Sequence, residues 1–136
     1  YPSSFLNMHP NAIVSEHASI SQEVEIDPYT IVDSHVRVGA FSFVAAVVLV
    51  NKDVLPYTIA DGQWVSSRAV NKVGLKRAGF SQKERLYIDW AVRILLKLSL
   101  TVDLALESIA SECGPDSHIE HLTHFVFTSE RGIARK

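Results

Sequence analysis

MHPNAIVSEHASISQEVEIDPYTIVDSHVRVGAFSFVAAVVLVNKDVL, residues 8–55, repeats itself every six positions. One column of the repeat is apolar throughout: Met8, Val14, Ile20, Ile26, Val32, Val38, Val44 and Val50. Four residues after each stands a small or β-branched one: Ala12, Ala18, Val24, Thr30, Val36, Ser42, Val48 and Val54. A helix returns its buried face about every 3.6 residues and a half-buried strand about every 2, so neither explains a closed period of six. A triangular coil with six residues to a side does. The apolar residue points into the prism, and the small one lets the chain bend near the corner. The hexapeptide repeat therefore predicts a β + α chain, a short left-handed parallel β-helix over 8–55 followed by helices.

Working outward, Pro56 interrupts the sixfold column, and Gly62, Gly74 and Gly79 punctuate a connector over 56–80. Residues 81–136 form the expected C-terminal helical domain. Ser81 and Glu84 have the spacing of a capping box, in which each side chain satisfies the other's exposed N–H. Leu86, Trp90, Ile94 and Leu98 fall four apart, with Tyr87, Ala91 and Leu95 beside them, as the expected buried stripe. Asp89 and Arg93 are placed for an i,i+4 ion pair. Thr101 caps a second helix that turns Val102, Ala105, Leu106 and Ile109 inward, and Gly114-Pro115 stops it. A third, shorter helix carries Ile119, Leu122, Phe125 and Val126, and the tail from Ser129 is expected to be irregular.

The chain has 136 residues and 47% hydrophobic content, which suits one domain or two small ones. No apolar run approaches the ~20 residues needed to cross a bilayer, so no membrane insertion is expected. Tyr1 to Met8 lacks the charged start and apolar core of a signal peptide, and a lone cysteine, Cys113, offers no internal disulfide. A reducing, cytoplasmic setting is the expectation. Net charge is only −2, which favours no nucleic-acid partner. Lys72, Lys76, Arg77, Lys83 and Arg85 nonetheless cluster, as a solvated face or as a seat for a phosphate or an acidic protein. Fewer than three coils is close to the lower limit for a stable solenoid. Helices can cover one open end and self-association a side, so a homotrimer about a threefold axis is expected.

Particular stretches add a family likeness. His9-Pro10-Asn11-Ala12-Ile13-Val14, then Ala18-Ser19-Ile20, resembles the opening of the UDP-N-acetylglucosamine O-acyltransferases of lipid A synthesis. Pro28-Tyr29-Thr30-Ile31-Val32 and His35-Val36-Arg37-Val38-Gly39 continue the likeness. Lys52-Asp53-Val54-Leu55-Pro56-Tyr57-Thr58-Ile59-Ala60 is similar to that family's exit from its prism. Val70-Asn71, Gly74-Leu75-Lys76-Arg77 and Gly79-Phe80-Ser81 are similar to its entry into the helices. Ser129-Glu130-Arg131-Gly132-Ile133 resembles its last residues. Members of the family are longer, with more coils between these two ends. A shortened homologue and an internal deletion of whole coils both preserve the sixfold register.

The resemblance implies transfer of a β-hydroxyacyl chain from acyl carrier protein to the sugar 3-hydroxyl of UDP-N-acetylglucosamine. A histidine takes the hydroxyl proton and a backbone N–H stabilises the oxyanion, with no cofactor and no resident metal. The family's His-x-x-His coil is absent from residues 8–55. His35 reads either as part of an early structural coil or as the helper in the coil after the catalytic one. In the second register the catalytic position falls on Glu16, beside His17. Independently of the family, His17 and His35 are eighteen residues apart and take the same place in successive coils, within stacking reach. They are the candidate acid/base pair, and the alternative is a pair of idle corner histidines.

Asn71 stands where the family has a uridine-contacting asparagine, and Arg77, with Lys76 beside it, matches the first of two arginines. These three are the candidate substrate-binding residues. Ala78 replaces the second arginine and Val73 an acidic residue, while Ala45-Ala46-Val47-Val48 replaces a glycine-rich acyl groove. His9, His118, His121 and His124 read as surface or helix-face residues, the last two at a spacing that is weak evidence for metal. Trp64 and Arg68 read either as packing over a neighbouring subunit or as sealing the prism. Two other functions stay open: an inactive trimeric scaffold, and a different enzyme using the His17/His35 column on a small acyl-CoA.

Overall fold

The structure, a computed structural model, describes residues 6–112, 114 and 116–135. Eight short strands open it: β1 (Leu6–Met8), β2 (Ile13–Val14), β3 (Ser19–Ile20), β4 (Val24–Ile26), β5 (Ile31–Val32), β6 (Arg37–Val38), β7 (Phe43–Val44) and β8 (Leu49–Val50). They visit three parallel sheets in rotation: β1, β4 and β7 in the first, β2, β5 and β8 in the second, β3 and β6 in the third. Met8 pairs with Ile26, Val14 with Val32 and Ile20 with Val38, each eighteen positions on.

That register turns the sixfold column inward. Ile26, Val32, Val38, Val44 and Val50 are fully buried and Ile20 nearly so. Met8 is 45% exposed, because the coil that holds it has no described neighbour beneath. The second column is buried from Val24 onward. Its two hydroxyls are satisfied there: Thr30 Oγ1 donates to the Ala45 carbonyl and Ser42 Oγ to the Gly39 carbonyl, each at 2.7 Å.

After Val50 the coil shortens by two residues. β9 (Thr58–Asp61) joins the first sheet with Val44 opposite Ala60, sixteen positions on. Gly39 permits this contraction, since a Cβ there would lie 2.4 Å from Pro56 N. β10 (Ser66–Val70) turns back antiparallel on β9, and α1 (Lys72–Arg77) follows. The stretch expected to be a connector thus holds two strands and a helix.

Three further helices follow: α2 (Gln82–Leu95), α3 (Val102–Glu112) and α4 (Ser117–Phe127). Ser81 and Glu84 form the reciprocal capping box, Thr101 Oγ1 accepts from Leu104 N, and Arg93 pairs with Asp89 at 2.9 Å. The α4 stripe Ile119, Leu122, Phe125 and Val126 is buried, as its spacing predicts. The α2 stripe is not the expected one. α2 buries Ile88, Ala91, Val92, Ile94 and Leu95, while Leu86 is 63% exposed and Leu98 lies beyond the helix end, exposed too. Four-residue steps drift round a helix of about 3.6 residues per turn, so a long i+4 run leaves the buried face at both ends.

Leu55, Tyr57 and Val70 join Leu75, Ile88, Leu95 and Leu122 in a second core, which lies on the upper end of the coils. The tail is irregular, as expected, apart from one bridge, and it is tied down along its length. Ile133 bridges to Asp53, Ser67 Oγ donates to the Ala134 carbonyl at 2.7 Å, and Arg135 Nε donates to the Leu95 carbonyl at 2.9 Å. Its polarity comes from side chains that bond to carbonyls of other elements. Trp64 is 63% exposed and does not seal the prism, whereas its neighbour Val65 is buried with the prism aliphatics. Cys113 and Pro115 lie outside the described residues. No described helix is long and apolar enough to cross a membrane.

Candidate functional site

Every corner of the coil from Asn11 to Val47 turns through a residue in the left-handed region, and so does the corner at Tyr57, whereas the shortened corner after Val50 does not. The sixfold spacing sorts these residues into three columns: Asn11, Tyr29 and Val47; His17 and His35; Glu23 and Phe41, which Tyr57 extends sixteen positions on, across the shortened coil. His17 and His35 both have φ of 65°, at the corner between the second and third sheets. Identical backbone one coil apart makes the two side chains parallel. Their ring centroids lie 5.1 Å apart with 7° between planes, and both residues are exposed. Such a pair sets two imidazoles, the commonest general-base side chain, at one exposed corner.

Asn71 and Arg77 come together at a different corner. A cavity of about 280 Å³ is lined by Glu23, Glu25, Phe41, Asn71, Gly74 and Arg77 among others. Asn71 caps α1, its Oδ1 accepting from Gly74 N at 3.2 Å, while its Nδ2 donates to the Phe41 carbonyl at 3.0 Å. Gly74 allows this closeness, for a Cβ there would meet Asn71 Nδ2 at 2.4 Å. One N–H and one lone pair of the amide remain for a ligand. Arg77 is largely exposed, its Nη2 3.8 Å from Glu25 Oε1. Lys76 is exposed in the last turn of α1 and does not line the cavity. The cavity therefore presents one cation against two carboxylates.

His17 and His35 do not line it. They sit at one corner, and the cavity spans the next corner and the outer face of the first sheet. Within one chain the candidate base and the candidate nucleotide residues face different directions.

Two polar clusters were not legible as such in the sequence. His118, read as a surface residue, bonds through Nε2 to Glu84 Oε2 at 2.8 Å and lies against Phe80. The Ser81 backbone N–H, then the His118 bond, lowers the Glu84 carboxyl to about 2. Burial, then the charges of His124 and His118, lowers the His121 pKa. Burial, then the Asp116 charge, pushes the Tyr57 phenol upward. These groups close the helices over the Phe41–Tyr57 corner. His9 also stands between two carboxylates, Glu25 and Asp27. The signal was the eighteen-residue offset from Asp27, the same offset that relates His17 to His35.

A groove of about 660 Å³ between α3 and α4, lined by Leu106, Ile109, Ile119 and Phe127 among others, holds none of the candidate residues.

Comparison with known proteins accords with this geometry. The family described as UDP N-acetylglucosamine O-acyltransferase, domain 2, matches residues 53–134. The chain is 29% identical over 125 residues to acyl-(acyl-carrier-protein)-UDP-N-acetylglucosamine O-acyltransferase of Alkalilimnicola ehrlichii, covering 92% of this chain and 48% of that protein. It is 31% identical over 122 residues to the Myxococcus xanthus protein of the same name, covering 90% and 45%. The solved UDP-N-acetylglucosamine acyltransferase of Francisella novicida superposes with a TM-score of 0.90 at 28% identity, over 96% of this chain and 48% of that one. The chain spans about half the length of the curated relatives it matches. With a family match over more than half its residues and coils that superpose on a solved member, the chain belongs to the UDP-N-acetylglucosamine O-acyltransferase family.

Proposed function

We propose that this chain is an acyl-carrier-protein-dependent O-acyltransferase acting on UDP-N-acetylglucosamine, the first step of lipid A biosynthesis, in a form about half the length of its relatives. The observation that carries it is the meeting of Asn71 and Arg77 in one cavity beneath α1, at positions the family resemblance assigns to nucleotide binding. Arg77 holds the nucleotide's anionic part, Asn71 its base, and Lys76 adds charge at the rim. His35, with His17 stacked on it, takes the proton of the sugar hydroxyl as that oxygen attacks the thioester carbon; the C–S bond then breaks, and the carrier's sulfur leaves as a thiol by taking that proton back from the imidazolium.

The two groups face different corners of one chain, so the site is completed between copies. A homotrimer, three prisms about a threefold axis, brings the histidine corner of one copy toward the cavity of the next. In support of the fold reading, the three sheets are visited in rotation and a left-handed residue turns each corner from Asn11 to Val47. The coils wind as a left-handed parallel β-helix over 8–55, 56–80 joins it to the helices, and 81–136 is the helical domain. Acyl carrier protein, which is acidic, docks on the Lys72 to Arg85 cluster, and the protein works in the cytoplasm.

A second reading has a specific observation in its favour. Glu23 and Glu25 share the cavity with Arg77, and Asn71 spends half its amide as a cap. An inactive trimeric scaffold of the same family follows if these groups exclude the nucleotide. Mass-spectrometric detection of acylated UDP-N-acetylglucosamine, with a panel of β-hydroxyacyl carrier proteins, tests the two readings. Product that disappears in His35→Ala supports the enzyme. No product with any donor, from folded protein, establishes the scaffold.

A further inference from the structure

We infer that His9, Glu25 and Asp27 form a binding site for a divalent transition cation of the zinc type, on the outer face of the first sheet. Glu25 and Asp27 flank buried Ile26 and so share the outward face of that strand. Met8 lies opposite Ile26 across the β1–β4 pair, and the His9 N–H donates to the Ile26 carbonyl at 2.9 Å. The eighteen-residue coil therefore lays the imidazole beside both carboxylates without help from any loop.

Distances carry the assignment to a class of cation. His9 Nε2 is 3.5 Å from Glu25 Oε2 and 3.4 Å from Asp27 Oδ1, and one ligand atom from each of the three lies within 4.8 Å of the others. A tetrahedral ion with bonds of about 2.0–2.2 Å holds neighbouring ligand atoms about 3.3–3.6 Å apart. An octahedral magnesium, with bonds of about 2.1 Å, needs them at about 3.0 Å. One imidazole nitrogen with carboxylate oxygens is also a donor set that suits zinc better than the hard cations.

The ring nitrogen supplies an independent observation. Although 37% of the His9 side chain is exposed, Nε2 itself is sealed from solvent and has no hydrogen-bond partner among the described residues. It points between the two carboxylates without N–H···O geometry to either. A buried nitrogen left unmade costs free energy, and a cation between the three groups uses its lone pair. The second Glu25 oxygen, Oε1, lies 3.8 Å from Arg77 Nη2, a contact that orients the carboxylate. Three protein ligands leave a fourth position for water or an anionic group.

Isothermal titration of tag-free protein with zinc chloride tests the site, run on the wild type and on a His17→Ala/His35→Ala background that lacks the stacked pair. The expected result is binding that persists in that background and weakens at least about tenfold in His9→Ala and in Asp27→Asn, with magnesium producing no saturable heat. Circular dichroism establishes that each variant is folded. Asp27→Asn and Glu25→Gln, both on the outer face, keep the test intact if His9→Ala loses the first coil. No zinc binding by folded wild-type protein, or binding unchanged in His9→Ala or the two carboxylate variants, overturns the inference.

Discussion

Arg37 reaches Asp53 twice. Its backbone N–H donates to Oδ1 at 2.8 Å and its Nε to Oδ2 at 3.3 Å, while the guanidinium lies 4.1 Å over the Phe125 ring. Asp53 is only 1% exposed and also accepts from Ser129 Oγ at 2.7 Å, and Arg37 Nη1 donates to Thr128 Oγ1 at 3.0 Å. One ion pair thus clamps coil, α4 and tail together. Removing one member of a buried pair strands the other, at about 3–5 kcal/mol. Asp53→Ala falls at the low end of that range because the Arg37 side chain is about one-third exposed. Arg37→Ala, which leaves the buried carboxylate, falls at the high end. Urea unfolding of both variants measures the order, and equal costs contradict it.

The helix contacts predict acid sensitivity in two windows. Glu84 has its pKa lowered from 4.5 to about 2, so its contribution is present above pH 4.5 and is lost as pH falls toward 2. Relative to wild type, Glu84→Gln melts lower at neutral pH, and the gap closes between about pH 4.5 and 2. His121 runs from a higher window. Its folded pKa lies below 6.5, so the unfolded chain takes up the proton first and stability falls as pH drops through 6.5. His121→Gln flattens that part of the profile. Melting temperatures from pH 8 to pH 2 check both, and parallel curves for variant and wild type contradict them.

Gly39 decides whether the last coil can contract. A Cβ 2.4 Å from Pro56 N meets backbone that cannot swing away. Gly39→Ala is expected to destabilise by about 1–3 kcal/mol or more, the range for overpacking. Gly114→Ala, with open space around the glycine, is the matched control and changes little. Chemical denaturation of the pair measures the difference.

Val47 holds a left-handed corner, φ 59°, with its side chain 66% exposed. The conformation costs an L-residue about 1–2 kcal/mol and asparagine less, and a β-branched side chain there gains nothing back from burial. Val47→Asn is expected to stabilise by about 1 kcal/mol. A lower denaturation midpoint in that variant shows that the side chain packs where the free chain leaves it bare.

The six-residue period by itself determined the three parallel sheets, the inward aliphatics and the coil of eighteen, because identical backbone repeats force identical residues into identical places. The same rule makes the His17–His35 stack legible in the sequence alone. Local chemistry likewise settled the Ser81–Glu84 box and the buried face of α4, whose partners lie within one turn. What lay beyond reach was everything that depends on how far-separated pieces meet. The tail's irregular path was legible, but not its anchoring, because its partners, Asp53, Ser67 and Leu95, are between about 40 and 80 positions away. The buried face of α2 depends on which side the prism and α3 occupy, and its own i+4 row does not record that. Asn71 and Arg77 were legible as residues, but their acidic company at Glu23 and Glu25 was not. Only the closing of α1 onto the first sheet brings those carboxylates to the arginine, and only tertiary structure turns the histidine pair to a different corner.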